Sequence, residues 1–214
     1  MKITAINTSP RTNWNTATLV KEAAAGAASA GAEIQYFDLC RLGKYSGCIS
    51  CFRCKREPNE GKCVYQDGLE PVLRAIREAD GVIIGTPNYL GQPNAGFIAL
   101  YERLVFQNLT YQKERWHYHE SKTPALFIMT SNMPEEGYRS GAAADMIRRY
   151  REGLTECVGP TEVFISGDTL QVKDYSRYHW TLFDPAHKQK RHDAVFPKEK
   201  ERVFRLGAAL AQGK

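Results

Sequence analysis

Cys48, Cys51, Cys54 and Cys63 stand in the stretch GCISCFRCKREPNEGKC, with the spacing C-x2-C-x2-C-x8-C. Three thiols at steps of three meet on one compact loop. Such a loop suits three corners of an iron–sulfur cubane, with the fourth ligand arriving from further along, and C-x2-C-x2-C runs are one way clusters are held. Gly61 gives the chain the freedom to swing Cys63 inward. Zinc suits the pattern less well, because a structural zinc site usually takes two close pairs set apart. The same four residues also read as free thiols lining a loop beside another cofactor, so spacing alone leaves cluster, zinc and thiol open.

A second chemistry lies near the start. Residues 8–18, TSPRTNWNTAT, offer hydroxyls at Thr8, Ser9, Thr12 and Thr16, amides at Asn13 and Asn15, and the guanidinium of Arg11. The stretch runs straight into an Ala-rich helix, where free N–H groups and the positive end of the helix dipole favour an anion such as a phosphate monoester. It lacks G-x-G-x-x-G and G-K-[ST], which argues against tightly bound NAD and against ATP. A plain polar turn with a capped helix is the competing reading. Residues 86–97, TPNYLGQPNAGF, place Tyr89 and the backbone of Asn88, Leu90 and Gly91 where a flat ring would lie, Gly91 allowing close backbone approach. They read equally as an ordinary βα turn. Residues 130–138, with Ser131 and Asn132, would close the ring's other edge.

The elements that must position these loops alternate along the chain. Strands are expected over 1–7, 33–39, 81–85, 124–130 and 162–166, and helices over 15–30, 69–79, 94–106, 141–157 and 197–211. Regular βα alternation with apolar strands implies an α/β fold, a parallel sheet covered by helices on both faces. Five such strands suggest a flavodoxin-like, doubly wound sheet of order 2-1-3-4-5, with ligands at the carboxyl ends of strands 1 and 3. One domain over 1–214 is expected, with a cysteine loop at 43–67 and a C-terminal extension at 173–214. Long segments at 105–123 and 173–196 carry many aromatic rings, and loops of that length usually have a function. The first suggests a homo-oligomer interface. The basic run 188–192 reads as a solvated face, His117 and His119 as surface or interface packing, and Cys40 and Cys157 as buried packing.

The net charge of +5 suits a phosphate-bearing ligand, but no basic stripe with interleaved aromatics points to nucleic acid. No apolar run approaches a membrane span, and the first ten residues lack a secretory pattern. A cytoplasmic protein is expected, where six cysteines point to metal or redox use rather than disulfides.

Residues 9–19, 47–63 and 79–104 together resemble the flavodoxin-like NAD(P)H-dependent FMN reductases, and within them the iron–sulfur flavoproteins. The resemblance spans roughly the first 140 residues. It implies noncovalent FMN, and a dimer or tetramer. Ser9, Arg11, Asn15 and Thr16 would hold the phosphate, with Asn13 beside them. Pro87, Asn88, Tyr89, Leu90 and Gly91 would lie along the isoalloxazine, with Ser131 and Asn132 at its edge. Cys48, Cys51, Cys54 and Cys63 would hold a [4Fe–4S] cluster. Trp14 stands where relatives commonly have Gly, and the last cysteine spacing is longer than usual. The expected function is an FMN-dependent oxidoreductase. It would pass reducing equivalents from NAD(P)H or a small electron-carrier protein to an acceptor, with no side chain acting as acid or base. The alternatives are a non-enzymatic electron carrier docking protein partners, or a thiol- or metal-based redox sensor.

Overall fold

The computed structural model describes residues 1–120 and 122–213; Ser121, within the aromatic segment at 105–123, and Lys214 lie outside the described residues. Strand β1 (Lys2–Asn7) is followed by α1 (Asn15–Ser29), β2 (Glu33–Asp38), the cysteine segment, α2 (Glu70–Glu78) and β3 (Gly81–Tyr89). Then come β4 (Gln92–Pro93), α3 (Ala95–Asn108), β5 (Ala125–Thr130), α4 (Gly141–Cys157), β6 (Thr161–Ser166) and α5 (Pro185–Ala211). The parallel strands run β2-β1-β3-β5-β6. Six strands are present among the described residues where five were expected, because β3 continues past Gly85 and folds back on the two-residue β4. Counted in chain order, the sheet therefore reads 2-1-3-5-6.

Residues of β1, β3 and β5 are buried on both faces, as a covered parallel sheet requires. One face packs Ile6, Val82, Ile84 and Phe127 against α2, α3 and α4 through Leu73, Phe97, Leu100 and Met146. The other packs Ile3, Ala5, Ile83 and Ile128 against α1 and α5 through Leu19, Val20, Val203 and Leu210. Helices α1 and α5 approach so closely that a Cβ at Gly26 would overlap the Phe204 carbonyl, and one at Gly207 would overlap the Ala23 carbonyl.

Helix α5 begins at Pro185, well before the expected start at 197. Asp184 caps it, accepting from the Ala186 and His187 N–H groups at 2.9 and 3.2 Å, and Pro185 occupies its first turn. Pro197 thus lies inside the helix rather than at its start. This lengthening draws Lys188 and Arg191 of the basic run inward, while Lys190 stays exposed. Lys188 is buried and pairs with Asp168, and Arg191 meets buried Glu199 at 2.5 Å. Cys40 is exposed rather than packed; Cys157 is half-buried, and burial pushes its thiol up to about 12.

At the other long segment, α3 runs on to Asn108, and the chain then forms a tight hairpin in which Leu109 pairs with His117. The hairpin covers the cysteine loop: His119 Nε2 lies 3.2 Å from the Gly61 carbonyl, while Tyr111 and Trp116 stay exposed. No helix among the described residues is long and apolar enough to cross a membrane.

Gly207→Ala is expected to lower stability by about 1–3 kcal/mol, the usual cost of forcing atoms into a filled interface. Urea unfolding measures it, and an unchanged midpoint would contradict the close α1–α5 approach.

Candidate functional site

The loops after β1, β3 and β5 meet at the carboxyl edge of the sheet, and one buried amide joins two of them. Asn94 is the N-cap of α3, accepting from the Phe97 N–H at 3.2 Å. Its side chain also accepts from Thr8 Oγ1 at 2.7 Å and Thr86 Oγ1 at 3.2 Å, and donates to the Thr8 carbonyl at 2.6 Å. One residue thereby joins the first loop, the second loop and a helix start. The Thr16 and Thr130 hydroxyls meet at 2.7 Å and bring the third loop in.

The N-terminus of α1 has no side-chain cap and no acidic residue in its first turn. The Trp14 indole donates instead to the Leu170 carbonyl at 3.1 Å, and Asn15 Nδ2 donates to the same oxygen at 2.8 Å. The backbone N–H groups of the turn are left for an anion, and buried Ser9 and Thr16 stand beside them. This chemistry fits the phosphate of FMN. Arg11 is not free-standing: it donates to the Gln171 carbonyl at 2.6 Å and lies over the Trp14 ring. Burial lowers its pKa, and the hydroxyls of Tyr89 and Tyr178 oppose that shift. Asn13 is turned outward and accepts from Lys21 at 3.3 Å.

The second loop is a hairpin, not a simple βα turn. Asn88 pairs with Pro93 and Tyr89 with Gln92 across a two-residue tip, Leu90 and Gly91, both at positive φ. Two left-handed residues in succession make the turn that matches strand twist, and Gly91 suits it where Leu90 does not. Leu90 is fully exposed at the tip. Asn88 stabilises the turn by accepting from the Gly91 N–H at 2.9 Å, and donates to Tyr138 at 2.5 Å. Pro87 is buried beside Thr130 in the sheet. On the third loop, Ser131 is buried and accepts from the Met133 N–H at 3.0 Å. Asn132 accepts from buried Lys188 at 2.6 Å, which ties α5 to this edge.

The four cysteines border one small pocket with Phe52, Tyr65, Arg103, Phe106 and Gln107. None is in a disulfide; Cys54 is buried, Cys48 and Cys63 half-buried, and Cys51 exposed. The loop reaches this shape through left-handed Ser50 and Phe52. Helix α3 holds it from behind. The Glu102 carboxylate accepts the Cys48 N–H at 3.1 Å, and Gln107 Oε1 accepts the Cys63 N–H at 3.0 Å. The Arg53 N–H bonded to the Cys51 sulfur lowers that thiol's pKa, against a smaller effect of burial. Burial raises the Cys54 thiol; Lys55 opposes, and the neighbouring Cys63 and Cys48 sulfurs add to the rise. Lys55 caps the end of α3, donating to the Phe106 carbonyl and, at 2.5 Å, to that of Leu109.

Among the described residues no three His, Cys, Asp or Glu side chains converge as a single metal ion demands. A lone zinc needs every sulfur about 2.3 Å from one point, whereas a cubane holds its four ligands apart at separate corners. Sulfurs around one pocket, an N–H on a sulfur and two cations at the rim fit an anionic cluster better than a lone ion. Asn94, Glu102, Arg103 and Gln107 were not among the residues that sequence patterns singled out. The available signal was polar and charged side chains sharing α3 with buried Phe97, Leu100 and Leu104.

A family model described as NADPH-dependent FMN reductase matches residues 1–147. An iron–sulfur flavoprotein of Methanocaldococcus jannaschii is 38% identical over 103 residues, which are 48% of this chain and 51% of the relative. One of Methanosarcina thermophila is 30% identical over 105 residues, 49% of this chain and 53% of the relative. The matched segment spans about half the length of these curated relatives. An NAD(P)H:quinone oxidoreductase from Methanothermobacter marburgensis has a TM-score of 0.68 at 16% identity, covering 98% of this chain and 96% of that one. An azoreductase from Bacillus anthracis has a TM-score of 0.66 at 12% identity, covering 97% and 99%. At such identities these structural likenesses show the fold.

Asn94→Ala is expected to cost about 2 kcal/mol or more, since it removes a helix cap and strands buried threonine groups. Asn94→Asp, which keeps the acceptor and loses the donor, should fall between. Chemical denaturation of the three proteins measures both, and equal midpoints for native and Ala forms would refute the clamp.

Proposed function

The chain belongs to the NADPH-dependent FMN reductase family, and from that premise we propose that it is an FMN-dependent oxidoreductase with a [4Fe–4S] cluster. It would take reducing equivalents from NAD(P)H or a small electron carrier and deliver them to an acceptor. Bound FMN would supply the redox chemistry, able to exchange electrons in pairs or singly. The protein's own residues would hold it. The uncapped end of α1, with Ser9 and Thr16, would take the phosphate, and Arg11 would face it from the rim. The backbone of residues 87–91, with Tyr89, Ser131 and Asn132, would border the ring. Cys48, Cys51, Cys54 and Cys63 would hold the cluster.

The observation that carries this reading is that α3 fastens both loop clusters. Its cap, Asn94, joins Thr8 and Thr86, and Glu102, Arg103 and Gln107 brace the cysteine loop. At 1.5 Å per residue the stretch from Asn94 to Arg103 spans roughly 14 Å. Two redox centres fastened to one rigid helix would keep a fixed separation, which electron transfer between them needs.

Protein prepared without oxygen should show flavin absorbance with a broad cluster shoulder. It should contain about four irons and about four sulfides, as a cubane held by four cysteines does. Cys54→Ser should lose iron and sulfide yet keep FMN, because the phosphate loop is built from other elements. Flavin without iron in the native anaerobic protein would leave a plain FMN reductase; no flavin uptake at all would overturn the enzyme reading.

Arg11→Ala should weaken FMN binding roughly tenfold or more, since charge-assisted bonds contribute about 1.5–3 kcal/mol. Flavin fluorescence titration decides it. Equal affinity would mean that Arg11 only ties the first loop to Gln171.

A further inference from the structure

Arg103 is 2% exposed, and its side chain borders the pocket of the four sulfurs. Asp67 holds it by an ion pair of 2.6 Å, with both side chains almost wholly buried, and the Tyr65 carbonyl accepts a second bond at 2.8 Å. Asp67 is itself fastened, accepting the Ser46 N–H at 3.1 Å and the Leu69 N–H at 3.0 Å. The third guanidinium nitrogen, Nε, is buried and has no hydrogen-bond partner among the described residues. A buried donor without an acceptor is costly and rare, so a group that completes it is expected. Burial works against the Arg103 charge, while Asp67 and then the Cys63 sulfur, which lines the same pocket, favour it.

We infer that Arg103 is the buried counter-ion of the cluster, donating through Nε to the Cys63 sulfur and raising the cluster's reduction potential. The inference rests on the cluster reading above. A cubane held by four thiolates is anionic and gains a further negative charge on reduction, so a fixed cation beside it favours the reduced form. Hydrogen bonds to the sulfurs act in the same direction, and such outer contacts set cluster potentials. Asp67 offsets part of the charge but also fixes the guanidinium plane. Arg103 is therefore a positioning and tuning residue, not a ligand.

The test is a redox titration of the FMN-loaded, cluster-loaded protein under anaerobic conditions, followed by absorbance and by the paramagnetic signal of the reduced cluster. Removing Arg103 alone would strand a buried carboxylate, so the neutral variant is the double one, Arg103→Gln with Asp67→Asn. It should keep its iron and reduce less readily by at least about tenfold in the equilibrium constant, about 59 mV for a one-electron couple. Arg103→Lys keeps the charge without the Nε donor and should shift in the same direction by less. If the double variant fails to fold, Arg103→Lys decides. Iron retained with an unshifted potential overturns the inference and leaves the cluster reading intact. Loss of iron from Arg103→Lys with FMN retained overturns it too, because the side chain would then only shape the loop. Native protein without iron overturns the cluster reading and the inference together.

Discussion

Buried polar groups must find partners, and helix α3 carries several of them into the interior. Asn94, Arg103, Gln107 and Asn108 are all buried. Their partners are loop residues and the end of β3: Thr8 and Thr86 for Asn94, Asp67 and Tyr65 for Arg103, the Cys63 N–H for Gln107, and the His119 N–H for Asn108. Leaving any of these unsatisfied costs about 1–3 kcal/mol, so the loops are drawn to the helix. The segments around Thr8 and Thr86, the cysteine loop and the aromatic hairpin are all fastened this way.

That arrangement places two loop clusters along one rod. The amino end of α3 faces the carboxyl edge of the sheet, where open-sheet proteins bind ligands. The carboxyl half faces the cysteine loop. The last carbonyls of α3 are met by the Lys55 ammonium, a favourable placement for a cation at a helix end. Lys55 therefore closes the helix and supplies positive charge beside the sulfurs at once. The sheet supplies the rigidity behind both sites, since β1, β3 and β5 are packed on both faces.

Helix α5 shows how side-chain pairing overrides composition. The run at 188–192 looks like a solvated charge cluster because its residues are mostly basic. In the fold, Lys188 reaches Asp168 and Asn132, and Arg191 reaches Glu199. Asp168 takes a left-handed conformation, and His187 also bonds it at 2.7 Å. Burial would raise the Asp168 pKa, but the bonds from Lys188 and His187 lower it on balance. The acidic partners of Lys188 and Arg191 lie beyond the three- and four-residue spacings at which helix side chains are neighbours, so local pattern does not link them.

The alternation of strand and helix, the double-sided burial of the central strands and the cysteine spacing were legible in the sequence, because each is a local pattern of residue types. So was the start of α1 directly after the polar residues 8–14, which depends on local residue types. Strand β4 was not legible: a two-residue return needs the end of β3 as its partner, and Leu90 is a poor residue for a left-handed tip. The early start of α5 was signalled by Asp184 and Pro185, but Pro197 offered a competing start within the same stretch. Only the tertiary structure decided that Asn94 joins two loops and that Arg103, distant in sequence from Cys63, borders its pocket. The physical reason is that a buried polar side chain takes its partner from whatever the fold brings near, and chain order does not record that distance.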